Sequence, residues 1–237
     1  MSLGVFKDLS PNSILFLVYA IDFALISSYF HHKNLLKRQG DDFEVYIRYF
    51  IYFFIFLFAI PVVFILLSFS HPLEALETLG LRFGDLKLGA LTVLVGIPVS
   101  AVLIYVSTRN PALKEQYPFS KKACQSPRKF FFYEVSYLIF YYTAWEFTFR
   151  GVFLFMLIEL MRDHPSGVIA AILIQSIIAT VYHLGHPHIE VIGALLGSII
   201  FGVIAYATGS ILYTIFLHAF IGILNDTFIY YRYHRNI

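Results

Sequence analysis

Apolar and polar positions alternate along this chain in blocks rather than in single turns. Seven nearly uncharged stretches, at 12–30, 49–70, 88–106, 130–160, 167–182, 190–207 and 209–231, are separated by short polar segments. A helix needs about 20 apolar residues to cross the hydrocarbon of a bilayer, so each stretch reads as a transmembrane helix, the fifth being the shortest. The expectation is all-α: a polytopic membrane helix bundle of seven to eight transmembrane helices, forming one integral membrane domain over residues 1–237. The first stretch carries Asp22 and lacks a small-residue cleavage site before a polar continuation, so it reads as a retained helix rather than a signal peptide. The longest polar segment, 107–129, holds Pro111, Pro118, Pro127 and six basic residues, and is expected to be irregular and to cover one mouth of the bundle. In the sixth stretch Gly193, Ala194, Gly197, Ser198 and Gly202 form rows of small side chains, the pattern that lets helices approach closely in lipid. That helix is therefore expected to be a packed scaffold. No internal repeat or low-complexity tract is visible.

Composition agrees with a membrane-embedded chain. Hydrophobic residues make up 59% of the 237 and charged residues 14%, where soluble domains carry about a quarter charged. The formal net charge of +2 hides an asymmetry. Twelve basic residues alternate onto one side: Lys33, Lys37, Arg38 and Arg48 after the first stretch; Arg109, Lys114, Lys121, Lys122, Arg128 and Lys129 after the third; Arg232 and Arg235 at the end. Four face the other way: Lys7, Arg82, Lys87 and Arg162. The positive-inside rule then predicts a cytoplasmic C-terminus, with the cell membrane as the expected location. The basic loops read as topology signals and contacts with membrane lipids; no nucleic-acid module is present, and no nucleic acid is an expected partner. The lone Cys124 has no partner for an intramolecular disulfide.

Against that background two charges stand out. Glu146 and Arg150 lie four residues apart in the run YYTAWEFTFRGVFLFML, which has no other charge. A charge in hydrocarbon costs a few kcal/mol, about 3 on insertion scales, so such groups pair, face a bundle interior and carry function. At this spacing both occupy one helical face and can neutralise each other. His183 closes the fifth stretch in VYHLGHPHIE, where Gly185 and Pro187 end the helix, and Glu190 opens the sixth. His218 lies well inside the last stretch, with Gly222 one turn on and Asn225 two turns on. His186 and His188 read as solvated loop residues, and Asp226, beside Arg232 and Arg235, as a solvated acid.

A carboxylate, an arginine and two histidines on three helices are the groups needed to hydrolyse an amide inside a membrane cavity. Glu146 with His183 can deprotonate a water. His218 can donate to the oxyanion, and Arg150 can hold Glu146 ionised and in place. Glu190 and Asn225 are secondary candidates. No cofactor is expected, although Glu146, His183 and His218 would also suit Zn; HExxH is absent, as is a His pair four residues apart on one helix.

The runs WEFTFRG, then His183 with Gly185, Pro187 and Glu190, then GALLGSIIFGVIAYATGSIL and His218 together resemble the CPBP family, the CAAX protease and bacteriocin-processing (Abi) intramembrane proteins. The resemblance covers about residues 130–225. It implies a glutamate-dependent intramembrane endopeptidase of all-helical fold, acting on a membrane-associated protein or peptide such as a prenylated CAAX protein or a bacteriocin. The family pattern is EExxxR, then FxxxH, then HxxxN or HxxxD. Its second Glu falls on Glu146, its Arg on Arg150, and its histidines on His183 and His218. Trp145 stands at the first Glu, Ala179 at the Phe and Gly222 at the Asn or Asp, so WEFxFRG reads as a subgroup form in which Glu190 supplies a second carboxylate. These departures raise one alternative, a catalytically inactive member serving as membrane scaffold, chaperone or immunity factor. A proton-coupled transporter relaying through Asp22, Glu146 and the histidines is the other.

Overall fold

The computed structural model describes residues 11–39 and 42–234; Lys7 and Arg235 of the charge pattern lie outside them. All regular structure among the described residues is helical. Seven long helices occupy the seven apolar stretches: α1 Pro11–Ser28, α2 Asp42–Ser68, α3 Leu86–Ser107, α4 over 127–160, α5 Gly167–Val181, α6 His188–Thr208 and α7 Leu212–Arg232. The protein is a polytopic helical membrane bundle. Among the described residues, length and composition alone qualify α2, α3, α6 and α7 as spans. The other three differ for physical reasons. α5 has 15 residues, about 22 Å at 1.5 Å per residue, which is less than a hydrocarbon core of about 30 Å; α1 is a shorter apolar helix too, and α4 carries the charge pair.

Helix α4 is the axis of the bundle. From Ala144 to Val152 every residue is buried, so this segment has no lipid face and must satisfy its polar groups within the protein. It is also irregular: π-helical turns at Tyr137–Tyr142 and Phe147–Phe153 flank a single α turn, Thr143–Glu146. Such wide turns recur at functional sites because they re-aim side chains without breaking the helix. By contrast α3 is almost wholly at the periphery, with Leu91, Leu94, Val99, Val102 and Leu103 exposed to the lipid phase. It packs on α7 through glycines: a Cβ on Gly89 would strike the Tyr213 ring, and one on Gly96 would press on Leu217.

The two ends of the bundle are tied differently. At one end the turn before α3 is sewn to the α6–α7 turn by Asp85 N to Thr208 O (2.8 Å), Ile211 N to Gly80 O (3.0 Å) and Arg82 Nε to Gly209 O (2.9 Å). Gly84 is required there, since its φ is +58° and a Cβ would overlap the Thr208 carbonyl. At the other end the 107–129 segment is ordered over the start of α2. Lys122 N and Ser120 Oγ donate to Asp42, at 3.2 and 3.3 Å, and Phe119 stacks on Tyr46. Arg232 reaches the same end, donating to Thr108. Basic residues on either side of α3 and α7 thus share one face, as the charge pattern requires.

Cys124 lies within this ordered segment. Burial first, and Asp226 second, push its thiol up to about 12. At pH 8 the thiolate fraction is so small that a maleimide should label the folded protein on the order of 10³-fold more slowly than an exposed cysteine. Labelling at the ordinary rate in native protein, with full labelling in denaturant as the reference, would contradict this packing.

Candidate active site

The charge pair of α4 is fully buried: Glu146 is 0% exposed and Arg150 1%. Four-residue spacing lets Arg150 Nη1 donate to Glu146 Oε1 at 3.1 Å. The same oxygen is 2.6 Å from His218 Nδ1 on α7. A carboxylate accepts only, so Nδ1 carries the proton and the second ring nitrogen, Nε2, is free of it in neutral His218. Arg150 Nη2 donates to Ser198 Oγ on α6 at 3.0 Å, and the guanidinium lies 5.5 Å from the Phe201 ring centroid. One buried cluster therefore joins α4, α6 and α7. Arg150 Nε and Glu146 Oε2 have no partner among the described residues.

In front of this cluster is a cavity of about 240 Å³. Arg150, His183 and His218 line it; Glu146 does not, and reaches it through Arg150 and His218. Trp145 takes the forward position. Its ring centroid is 5.2 Å from that of His183 and 6.2 Å from that of His218. Residues 145 and 146 differ by about 100° around the helix, which is why the indole faces the cavity and the carboxylate faces the neighbouring helices. His183 follows α5, where Nδ1 lies 2.9 Å from Ala179 O. A carbonyl cannot donate, so here too Nε2 is the unprotonated nitrogen of the neutral ring.

Glu190 lines the same cavity from the first turn of α6. Tyr117 Oη donates to its Oε1 at 2.5 Å and His186 Nδ1 lies 2.7 Å from that oxygen, while Oε2 is buried without a partner. Burial, then the carboxylate itself, hold the Tyr117 phenol well above its ordinary range, so it remains a donor. His186 is thus a cavity residue rather than a solvated one; the HPHIE run sets it four residues before Glu190, a spacing visible in the sequence. Tyr117 comes from the 107–129 segment, and nothing local in the sequence points to it.

Three further expectations change. Gly193 and Gly197 do not pack a scaffold helix: both line the cavity, and a Cβ on either would meet nothing within 4 Å. Helix packing falls instead to Gly202, against Gln175 and Ile172 of α5. Asp226 is 0% exposed rather than solvated, accepting from Asn225 Nδ2 at 3.0 Å and facing Glu134. Asn225 still lines the cavity, and one hydrogen of its amide goes to Asp226. Asp22 is buried with Oδ2 unpartnered and is not among the cavity-lining residues. For Zn the fit is poor, because among the described residues no three His, Cys, Asp or Glu side chains gather closely enough to hold a metal ion.

A model of the type II CAAX prenyl endopeptidase Rce1-like family matches residues 127–224. Over that segment the chain is similar to the CPBP family. The match covers about two fifths of the chain, from the start of α4 into α7. It therefore takes in Glu146, Arg150, His183, Glu190 and His218, and leaves Tyr117 and Asn225 just outside. No curated protein and no solved structure matches the chain. The matched family is described as one of CAAX prenyl endopeptidases, which is what this segment is similar to.

Proposed function

We propose that this protein is an active intramembrane endopeptidase in which Glu146 and His218 form the water-activating pair. The observation that carries the reading is the 2.6 Å contact between His218 Nδ1 and Glu146 Oε1, with His218 at the cavity wall. The sequence alone assigned the water to Glu146 and His183 and the oxyanion to His218; the buried position of Glu146 favours another division. Glu146, kept ionised by Arg150, fixes the His218 tautomer and stabilises the imidazolium that forms. His218 Nε2 takes a proton from water as the hydroxyl adds to the scissile carbonyl, and returns it to the leaving amine as the C–N bond breaks, the general logic of a carboxylate–histidine base. His183 Nε2 accepts the water's other hydrogen and aims it. No metal or cofactor enters this scheme.

The first substrate to try is the carboxyl-terminal peptide of a prenylated protein, from the description of the matched family. Entry from the cytoplasmic leaflet follows if the basic face of the bundle is the cytoplasmic one. Comparative membrane peptidomics of wild-type and Glu146→Gln cells tests the reading: peptides made only by the wild type support it. If purified protein cleaves nothing and Glu146→Gln cells keep the wild-type phenotype, the inactive scaffold becomes the better account. One observation favours that second reading, the Trp145 indole in the forward position of the cavity.

The two readings separate at Gly193 and Gly197. A leucine at either position enters open space, so stability should stay within about 0.5 kcal/mol of wild type. Peptide access along that wall should be blocked, and cleavage lost. Unchanged cleavage by both variants would move the substrate path elsewhere, and a lowered melting temperature would restore the packing role.

A further inference from the structure

We propose that the Tyr142 hydroxyl is the hydrogen-bond donor to the oxyanion in this cavity, a catalytic role that Gly222 makes possible. The inference rests on the endopeptidase reading and adds the group that reading lacks. Addition of hydroxide to an amide carbonyl leaves a negative oxygen, and a donor fixed beforehand at that place is worth a large share of the rate. The donor must be a cavity group with a proton to give.

Most polar groups on the wall already have a partner within the protein. Arg150 Nη1 and Nη2 donate to Glu146 and Ser198. Asn225 donates to Asp226, Tyr117 to Glu190, and His183 to the Ala179 carbonyl. His218 has its one proton on Glu146. Arg150 Nε is buried without a partner, but the donor that packs against the His218 ring is Tyr142. Its ring centroid lies 4.8 Å from that of His218, it lines the cavity, and Tyr137 is its hydrogen-bonding neighbour. With the Tyr137 hydroxyl donating to Tyr142, the proton of Tyr142 is left for a ligand. Tyr141 also lines the cavity, but its ring sits against Phe53 and Trp145 rather than His218.

Gly222 decides where that hydroxyl can be. A Cβ at 222 would coincide with Tyr142 Oη and crowd the ring carbon that bears it. The phenol therefore occupies the side-chain volume that residue 222 gives up, one helical turn beyond His218. A tetrahedral centre attacked by water held at His218 would turn its oxygen toward this corner. Tyr142 also precedes Glu146 by four residues, so the tyrosine, the carboxylate and Arg150 recur at one face of α4.

The test uses the full-length protein in detergent and a fluorescence-quenched farnesylated peptide ending in a CAAX sequence, or the synthetic peptide spanning a bond identified by peptidomics. Tyr142→Phe should lower kcat on the order of 10²-fold to 10³-fold with KM nearly unchanged, the loss typical of one oxyanion donor. The variant should stay folded, and the pH dependence of kcat/KM should match the wild type, since the Glu146–His218 contact is left in place. Tyr141→Phe should keep wild-type kcat. Gly222→Ala should lose kcat as Tyr142→Phe does, and Tyr142→Ala with Gly222→Asn should regain part of it by putting an amide in the vacated corner. Wild-type cleavage with Tyr142→Phe within threefold of wild-type kcat overturns the proposal alone. No cleavage of any probe by the wild type overturns the endopeptidase reading and this inference with it.

Discussion

Replacing Glu146 by glutamine should cost on the order of 10⁴-fold in kcat while the protein stays folded. Glutamine keeps the shape, and its carbonyl can still accept from Arg150 Nη1. What changes is the partner of His218: the amide nitrogen is a donor, and when it faces Nδ1 the imidazole must carry its proton on Nε2, where it cannot accept one from water. An Asp-to-Asn change at the corresponding place of a carboxylate–histidine pair has that magnitude for the same reason. Steady-state kinetics on the farnesylated reporter, with melting temperatures measured alongside, checks it. Retention of more than a tenth of wild-type kcat would remove Glu146 from the reaction. Glu190→Gln is the informative companion. Were it to abolish cleavage while Glu146→Gln did not, the working carboxylate would be the one held by Tyr117 and His186 on α6.

The helices were legible because a bilayer leaves a chain few options: every backbone polar group needs a partner, and long apolar runs satisfy that as helices. The charge pair was legible for a related reason, the cost of isolated charge in hydrocarbon. What the sequence hid was direction. Nothing in WEF says that the indole looks into the cavity while the carboxylate looks away, because that depends on the two π turns in α4 and on what surrounds it. The glycines of α6 misled similarly: small residues permit close packing and equally permit an open wall, and only the neighbouring helices decide. Asp226 looked solvated beside terminal basic residues because its contact with Glu134, about ninety positions earlier in the chain, has no local signature. Tyr142 had no signal of its own in the sequence, although it stands four residues before Glu146, because its place depends on Gly222 in another helix.

Arg150→Met should destabilise the bundle by about 3–5 kcal/mol, the cost of leaving one member of a buried ion pair without its partner. The carboxylate of Glu146 would keep His218 and Thr214 as polar neighbours but no cation beside it, and the Ser198 hydroxyl would lose its donor. Methionine matches the length and flexibility of the arginine stem and leaves no large void, so the loss reports charge rather than packing. The double variant Glu146→Gln/Arg150→Met removes both charges together and should recover most of that stability, since a neutral buried pair owes no ionic desolvation. A double-mutant cycle on unfolding free energies in detergent isolates the pair term. A coupling below about 0.5 kcal/mol would mean that water or lipid headgroups already screen the site. A large coupling has a functional corollary: the ion pair is then self-sufficient in stability, while the double variant, folded but unable to set the His218 tautomer, should be as inactive as Glu146→Gln alone.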